Sequence, residues 1–278
     1  MVGLGLMGGS LALALKQQQL CRRVVGLVRR ESAVQEAETL NVVDEATTDP
    51  AHALGQADIV VFATPVRVLL RQLSEYKPFY KPGAIITDMG STKQEIMTVM
   101  NSLFPEVYPI GSHPMCGKEI SGLSAADATL YQNAPWILTP LDRTPFAVIQ
   151  LIHQLAVEIG AKPRQIAADQ HDKLVATISH MPYTLSATLV LAAQSIAEQD
   201  SAVWDVAASG FRDMSRIAAS DVSMMLDILL TNRTAVLETL AEMDKQLAVF
   251  TQAIDEMDED KLRDLMTKAA EQRQSLYI

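Results

Sequence analysis

Near its start the chain reads Gly3-Leu4-Gly5-Leu6-Met7-Gly8-Gly9-Ser10 and runs straight into the apolar, helix-forming stretch Leu11-Ala12-Leu13-Ala14-Leu15. A G-x-G-x-x-G turn feeding a helix restricts the fold severely. The first glycine permits a tight turn, the second lets a pyrophosphate approach the backbone, and the third lets the helix pack close to its strand. Gly3, Gly5 and Gly8 fill those roles, and Leu6, Met7 and Gly8 begin a helix whose free N–H groups suit phosphate. Such a turn also occurs merely to reverse a chain. The helix directly behind it, and Val24-Val25-Gly26-Leu27-Val28 as a second strand, favour a dinucleotide cradle. Only Met1 and Val2 precede Gly3, whereas a strand usually runs about five or six residues. The first strand is therefore expected to be clipped, with residues missing ahead of it or a start assigned too late.

Twelve of the 13 glycines lie at or before Gly160, no proline follows Pro182 and no glycine follows Gly210. Up to that change, β-rich runs (24–28, 59–63, 85–87, 107–110, 136–138 and 162–166) alternate with amphipathic ones (68–76, 93–103 and 146–159). This alternation predicts a Rossmann-like α/β domain over 1–167, built on a mostly parallel sheet. An all-α domain is expected over 168–278. Its residues Leu226, Leu229, Leu230, Leu237, Leu240 and Leu247 recur at helical spacing and exceed what one small domain needs. A homodimer formed through these C-terminal helices accounts for the excess.

The net charge of -10 argues against nucleic acid, and an anionic substrate then requires a local cluster of arginine or lysine. No apolar run approaches the roughly 18 residues of a membrane span, and the start lacks the features of a signal peptide. Two cysteines fit a reducing compartment, so a cytoplasmic protein with no membrane partner is expected.

An acid about 20 residues past the glycines binds a ribose 2′-hydroxyl, whereas arginine accommodates a 2′-phosphate. The second strand ends Val28-Arg29-Arg30, with no acid before Glu31. NADP is therefore favoured over NAD, the alternative being that Arg29 and Arg30 are simply a solvated pair.

Three strand ends should converge on one crevice: Ala63-Thr64-Pro65, Asp88-Met89-Gly90-Ser91-Thr92-Lys93 and Gly111-Ser112-His113-Pro114-Met115-Cys116-Gly117. Thr64 lies at the carboxyl edge where cofactors bind in open sheets. Thr92 with Glu95 spells a capping box for the helix beginning near Lys93. Further on stand Ile178-Ser179-His180-Met181-Pro182 and Ser209-Gly210-Phe211-Arg212-Asp213-Met214-Ser215-Arg216. With the glycine turn, these motifs resemble, over nearly the whole chain, the prephenate and arogenate dehydrogenases of tyrosine biosynthesis.

The resemblance implies oxidation of a cyclohexadienyl acid, prephenate or arogenate, by hydride transfer to NAD(P), with loss of the ring carboxylate. It assigns His113 as the base, in keeping with the need for a neutral histidine to take the carbinol proton. Ser91 is expected to hydrogen-bond that histidine beside the nicotinamide. Arg216, with Arg212 four residues before it, is expected to hold the substrate carboxylate; the bland alternative pairs Arg216 with Asp213 on the surface. His180 falls near the substrate by resemblance, and a core histidine is nearly as good a reading. His171 and Asp172 follow Asp169, a candidate cap for a new helix, and read as structural. Cys116 and His113 lack further ligands at suitable spacing, so no metal is expected. The rivals are another dehydrogenase of the β-hydroxyacid type, a pyrroline carboxylate reductase, and an NADP-holding redox sensor without chemistry. The choice between prephenate and arogenate stays open.

Overall fold

A computed structural model describes residues 1–118 and 120–276. The strands β1 (Val25–Leu27), β2 (Glu45–Thr47), β3 (Ile59–Phe62), β4 (Ile85–Asp88), β5 (Tyr108–Pro114), β6 (Pro135–Pro140) and β7 (Lys162–Gln165) alternate with the helices α1 (Leu6–Gln17), α2 (Glu31–Thr39), α3 (Pro50–Leu54), α4 (Val66–Glu75), α5 (Gln94–Asn101) and α6 (Phe146–Glu158). β3, β4, β5, β6 and β7 lie in that order, and β1 pairs with β2. Val2 bridges β1 and β3 in parallel, opposite Leu27 and Phe62, and so joins the two parts into one sheet. Its N–H donates to Val61 O at 2.8 Å, and Ala63 N–H donates back to Val2 O at 2.8 Å. β1 to β5 run parallel, and β6 pairs antiparallel with β5.

The chain leaves Val2 toward β1 on one side and returns to β3 on the other, which makes the gap between Val2 and β3 the topological switch point where ligands bind. Both faces of the sheet are covered. Along β3 and β4, Val60, Phe62 and Ile86 pack with Leu69, Leu73 and Met100, while Val61 and Ile85 point the other way, to Leu11, Ile110 and Ile152. That period of two is what a pleated strand buried on both sides requires.

The helical part comprises α7 (Ala168–Val175), α8 (Met181–Ala197), α9 (Ala202–Asp205), α10 (Ser209–Ser215), α11 (Val222–Thr231), α12 (Arg233–Asp255) and α13 (Glu259–Ser275). By packing, the chain forms two compact units, Met1–Asn232 and Arg233–Ile278. The first contains the sheet and α7 to α11; the second contains α12 and α13. The change in glycine and proline usage between Gly160 and Gly210 falls where alternating strands and helices give way to consecutive helices.

Two expectations require correction, and both fall on one helix. α7 and α8 join across Pro182 through a π turn, Ala176–His180. The wider turn accommodates a residue that has no N–H and whose ring clashes with the carbonyl four residues back. As a result Ala168–Ala197 is one run with a window of mean hydropathy 1.3, long and apolar enough by composition to cross a membrane. Sequence reading expected no such run. This helix nonetheless buries His171, Asp172, His180 and Ser186 in hydrogen bonds within the first unit, which places it against protein along that length. Asp169 is not a cap either. It lies inside the first turn of α7, whose preceding residue is Ala167.

Candidate active site

The glycine turn occupies the switch point. Gly3 has φ +89°, and a Cβ there would meet Thr64 Cγ2 at 2.7 Å. A Cβ on Gly8 would meet Gly3 O at 2.2 Å and Ala63 Cβ at 2.9 Å, whereas one on Gly5 would meet nothing within 4 Å. The first and third glycines are therefore required by the protein's own packing, and the second keeps space clear above the start of α1. Among the described residues no side chain caps α1, so its first N–H groups, on Leu6, Met7 and Gly8, remain for an anion. These residues fit a dinucleotide.

Along the same carboxyl edge, in order across the sheet, come Arg29 and Arg30 after β1, the glycine turn after Val2, Thr64 after β3, Ser91 after β4 and His113 on β5. Four strand spacings of roughly 4.8 Å separate the first from the last. Both arginines are exposed. Glu31, the first acid beyond them, accepts from Thr48 Oγ1 at 2.8 Å. Thr64 Oγ1 donates to Gln72 Oε1 at 2.7 Å.

His113 lies within strand β5, not in a loop, because β5 continues to Pro114 through antiparallel pairing in which His113 faces Ile137. Beneath it is a buried ion pair. Lys93 Nζ bonds Asp88 Oδ2, with both side chains 0% exposed. Asp88 also accepts the N–H groups of Ser112 (2.9 Å) and Gly90 (2.8 Å), which ties the end of β4 to β5 just before His113. Burial lowers the Lys93 ammonium from its ordinary value, against the pull of Asp88 and Asp172.

The capping box is overturned. α5 begins at Gln94, and Thr92 Oγ1 lies 2.9 Å from Thr231 Oγ1. Since Thr231 Oγ1 donates to Asp227 O, Thr92 is the donor in that pair and its oxygen is turned away from the helix start. The α5 N-terminus is capped from afar: Asp172, on α7, accepts the N–H groups of Lys93 at 2.7 Å and Gln94 at 2.9 Å. Asp172 also binds its neighbour, with His171 Nδ1 2.7 Å from Asp172 Oδ1. His171 Nε2 in turn lies 2.8 Å from His113 Nδ1. Sequence reading gave His171 and Asp172 no place in the site. The run of polar residues in a helix following an α/β sheet was the only signal available.

Ser91, half-buried after β4, makes no hydrogen bond with His113 among the described residues. His180 is buried, and Asn232 Nδ2 lies 3.2 Å from its Nδ1 while also donating to Asp172 O at 2.7 Å. Burial pulls His180 from 6.5 down to about 4. Burial also holds His113 well below 6.5, and His171, Lys93 and His180 push it the same way. Burial raises the Cys116 thiol to about 11, so it is a neutral thiol at ordinary pH.

Arg212 in α10 and Arg216 just after it are exposed. Their segment is fastened to α8 through Ser186, whose Oγ donates to Met214 O at 2.8 Å and accepts from Ala218 N–H at 3.1 Å. No hydrogen bond or ion pair links Arg212 to the histidines among the described residues.

Two family models match end to end: the prephenate dehydrogenase nucleotide-binding domain over residues 11–164, and the prephenate dehydrogenase dimerization domain over 167–268. The chain belongs to the prephenate dehydrogenase family. It is 33% identical to the prephenate dehydrogenase of Lactococcus lactis subsp. cremoris, over 100% of this chain and 77% of that one. The crystal structure of Synechocystis arogenate dehydrogenase superposes with a TM-score of 0.87 at 30% identity, covering 99% of this chain and 98% of that one. Prephenate dehydrogenase from Aquifex aeolicus, solved with hydroxyphenyl propionate and NAD+, superposes with a TM-score of 0.92 at 26% identity, over 99% and 96%. As in this family, the chain is a dehydrogenase using a nicotinamide cofactor.

Proposed function

We propose that the chain oxidises prephenate or arogenate with loss of the ring carboxylate, with NADP preferred over NAD and with His113 as the base. What carries the reading is the open glycine cradle at Gly5 and the position of His113 along the same edge of the one sheet. A bound nicotinamide dinucleotide supplies the hydride acceptor. The N–H groups of Leu6, Met7 and Gly8 hold its pyrophosphate, and Thr64 and Ser91 line the edge leading to His113. Arg29 and Arg30 take a 2′-phosphate. Their exposure, and the engagement of Glu31 with Thr48, support that choice.

As hydride leaves the ring carbinol, His113 Nε2 takes the hydroxyl proton. The electron pair of the bond to the departing CO2 then flows through the ring to the oxygen, which recovers the proton from His113. Arg216, with Arg212 beside it, binds a carboxylate of the acid, and His180 borders the ring. On this reading residues 1–167 bind the cofactor. Residues 168–278 supply substrate contacts and the surface of a homodimer, and the enzyme works in the cytoplasm.

Initial rates with both acids and both cofactors, followed at the nicotinamide absorbance band, test it. Turnover of at least one acid with a higher kcat/KM for NADP is expected. Absence of turnover with either acid refutes the reaction, and a strong NAD preference refutes the role given to Arg29 and Arg30.

A further inference from the structure

We propose that His171 and Asp172 are positioning residues that fix the tautomer of His113, leaving its Nε2 as the unprotonated nitrogen. The inference rests on the reading of His113 as the base and adds to it the device that selects which nitrogen acts.

The argument follows the hydrogen bonds in order. A backbone N–H can only donate, so Lys93 N at 2.7 Å and Gln94 N at 2.9 Å make both Asp172 oxygens acceptors. His171 Nδ1, 2.7 Å from Asp172 Oδ1, must then carry the proton of that contact. A neutral imidazole with its proton on Nδ1 presents a lone pair on Nε2. His171 Nε2 therefore accepts from His113 Nδ1 at 2.8 Å, and the lone pair of His113 is left on Nε2. The two rings meet edge to face, with centroids 5.1 Å apart and planes at 68°. His171 and Asp172 are each 1% exposed, so water cannot substitute for either partner. When His113 takes a proton, the charge formed is met across His171 by the Asp172 carboxylate.

The first test is on the unaltered protein, labelled with 15N-histidine, with the His113 signals assigned by their loss in His113→Asn. Above the His113 titration, long-range 1H–15N correlation is expected to show Nδ1 protonated and Nε2 bare. The opposite tautomer overturns the proposal. The second test is kinetic. His171→Phe removes the acceptor and is expected to lower kcat on the order of 10²-fold, the lower end of what a positioned general base contributes, while KM for the acid changes less than about threefold. His171→Gln, whose amide oxygen can still accept from His113 Nδ1, is expected to recover part of the loss. Loss of turnover in His113→Asn together with unchanged kcat in His171→Phe overturns the relay and leaves His113 as the base. Unchanged turnover in His113→Asn overturns both.

Discussion

A histidine that must accept a proton near neutral pH has to be kept uncharged until the substrate arrives. Under the proposed role, burial, with His171, Lys93 and His180 close by, meets this need by holding the His113 imidazole well below 6.5. A lowered pKa means the base form persists as pH falls. The acid limb of kcat/KM, which reports the free enzyme, should therefore lie below pH 6.5; a limb centred at or above 6.5 contradicts this. Arg216 supports a second prediction. Lysine keeps the charge but loses the two-pronged fit to a carboxylate, and hydrogen bonds to charged groups contribute about 1.5–3 kcal/mol. Arg216→Lys should thus raise KM for the acid roughly 10- to 100-fold with little change in cofactor affinity, and an unaltered KM removes the role. The position of His113 was legible from the sequence, because an apolar strand precedes it and its flanking motif is shared with the family it resembles. The place of His171 and Asp172 was not, since the bonds that recruit them span 58 and 79 residues. Nothing local in Ala168-Asp169-Gln170-His171-Asp172 marks them off from a solvated first turn.

At the level of elements, the glycine turn separates packing from binding. Gly8→Ala puts a Cβ 2.2 Å from Gly3 O and should destabilise the fold by roughly 1–3 kcal/mol, as overpacking does. Gly5→Ala meets nothing within 4 Å. It should leave stability within about 0.5 kcal/mol yet weaken cofactor binding at least about tenfold, some 1.4 kcal/mol. Thermal melts with a fluorescence titration of reduced cofactor check the pair, and equal loss of stability in both variants contradicts the division of roles. Six of the seven strands, and the helices α1, α4, α5 and α6, were legible from apolar runs and periodicity. β2 was not, because Glu45-Ala46-Thr47 has three residues and no apolar run. The capping box at Thr92 and Glu95 misled because a distant carboxylate competed better for the α5 N–H groups. Helix 168–197 stayed whole because a π turn absorbed Pro182, which only the folded chain reveals.

At the scale of the whole molecule, one face of α11 is left bare: Val222, Leu226 and Leu230, four residues apart, are 73%, 50% and 49% exposed. On α8, Leu191 and Ile196 are 62% and 61% exposed. Apolar stripes of this kind mark association surfaces, and they fall within the region matched by the dimerization-domain model. Sedimentation equilibrium at micromolar concentration should give a dimer, and Leu226→Glu should shift it toward monomer; a monomeric parent chain contradicts the assignment. The central claim is that this fold brings one imidazole to the reacting end of a bound cofactor, and the most direct measurement is the turnover of His113→Asn. Its kcat should fall by about 10²- to 10⁴-fold, the contribution of a positioned general base, with the dissociation constant of the reduced cofactor unchanged. Turnover equal to that of the parent enzyme would contradict it.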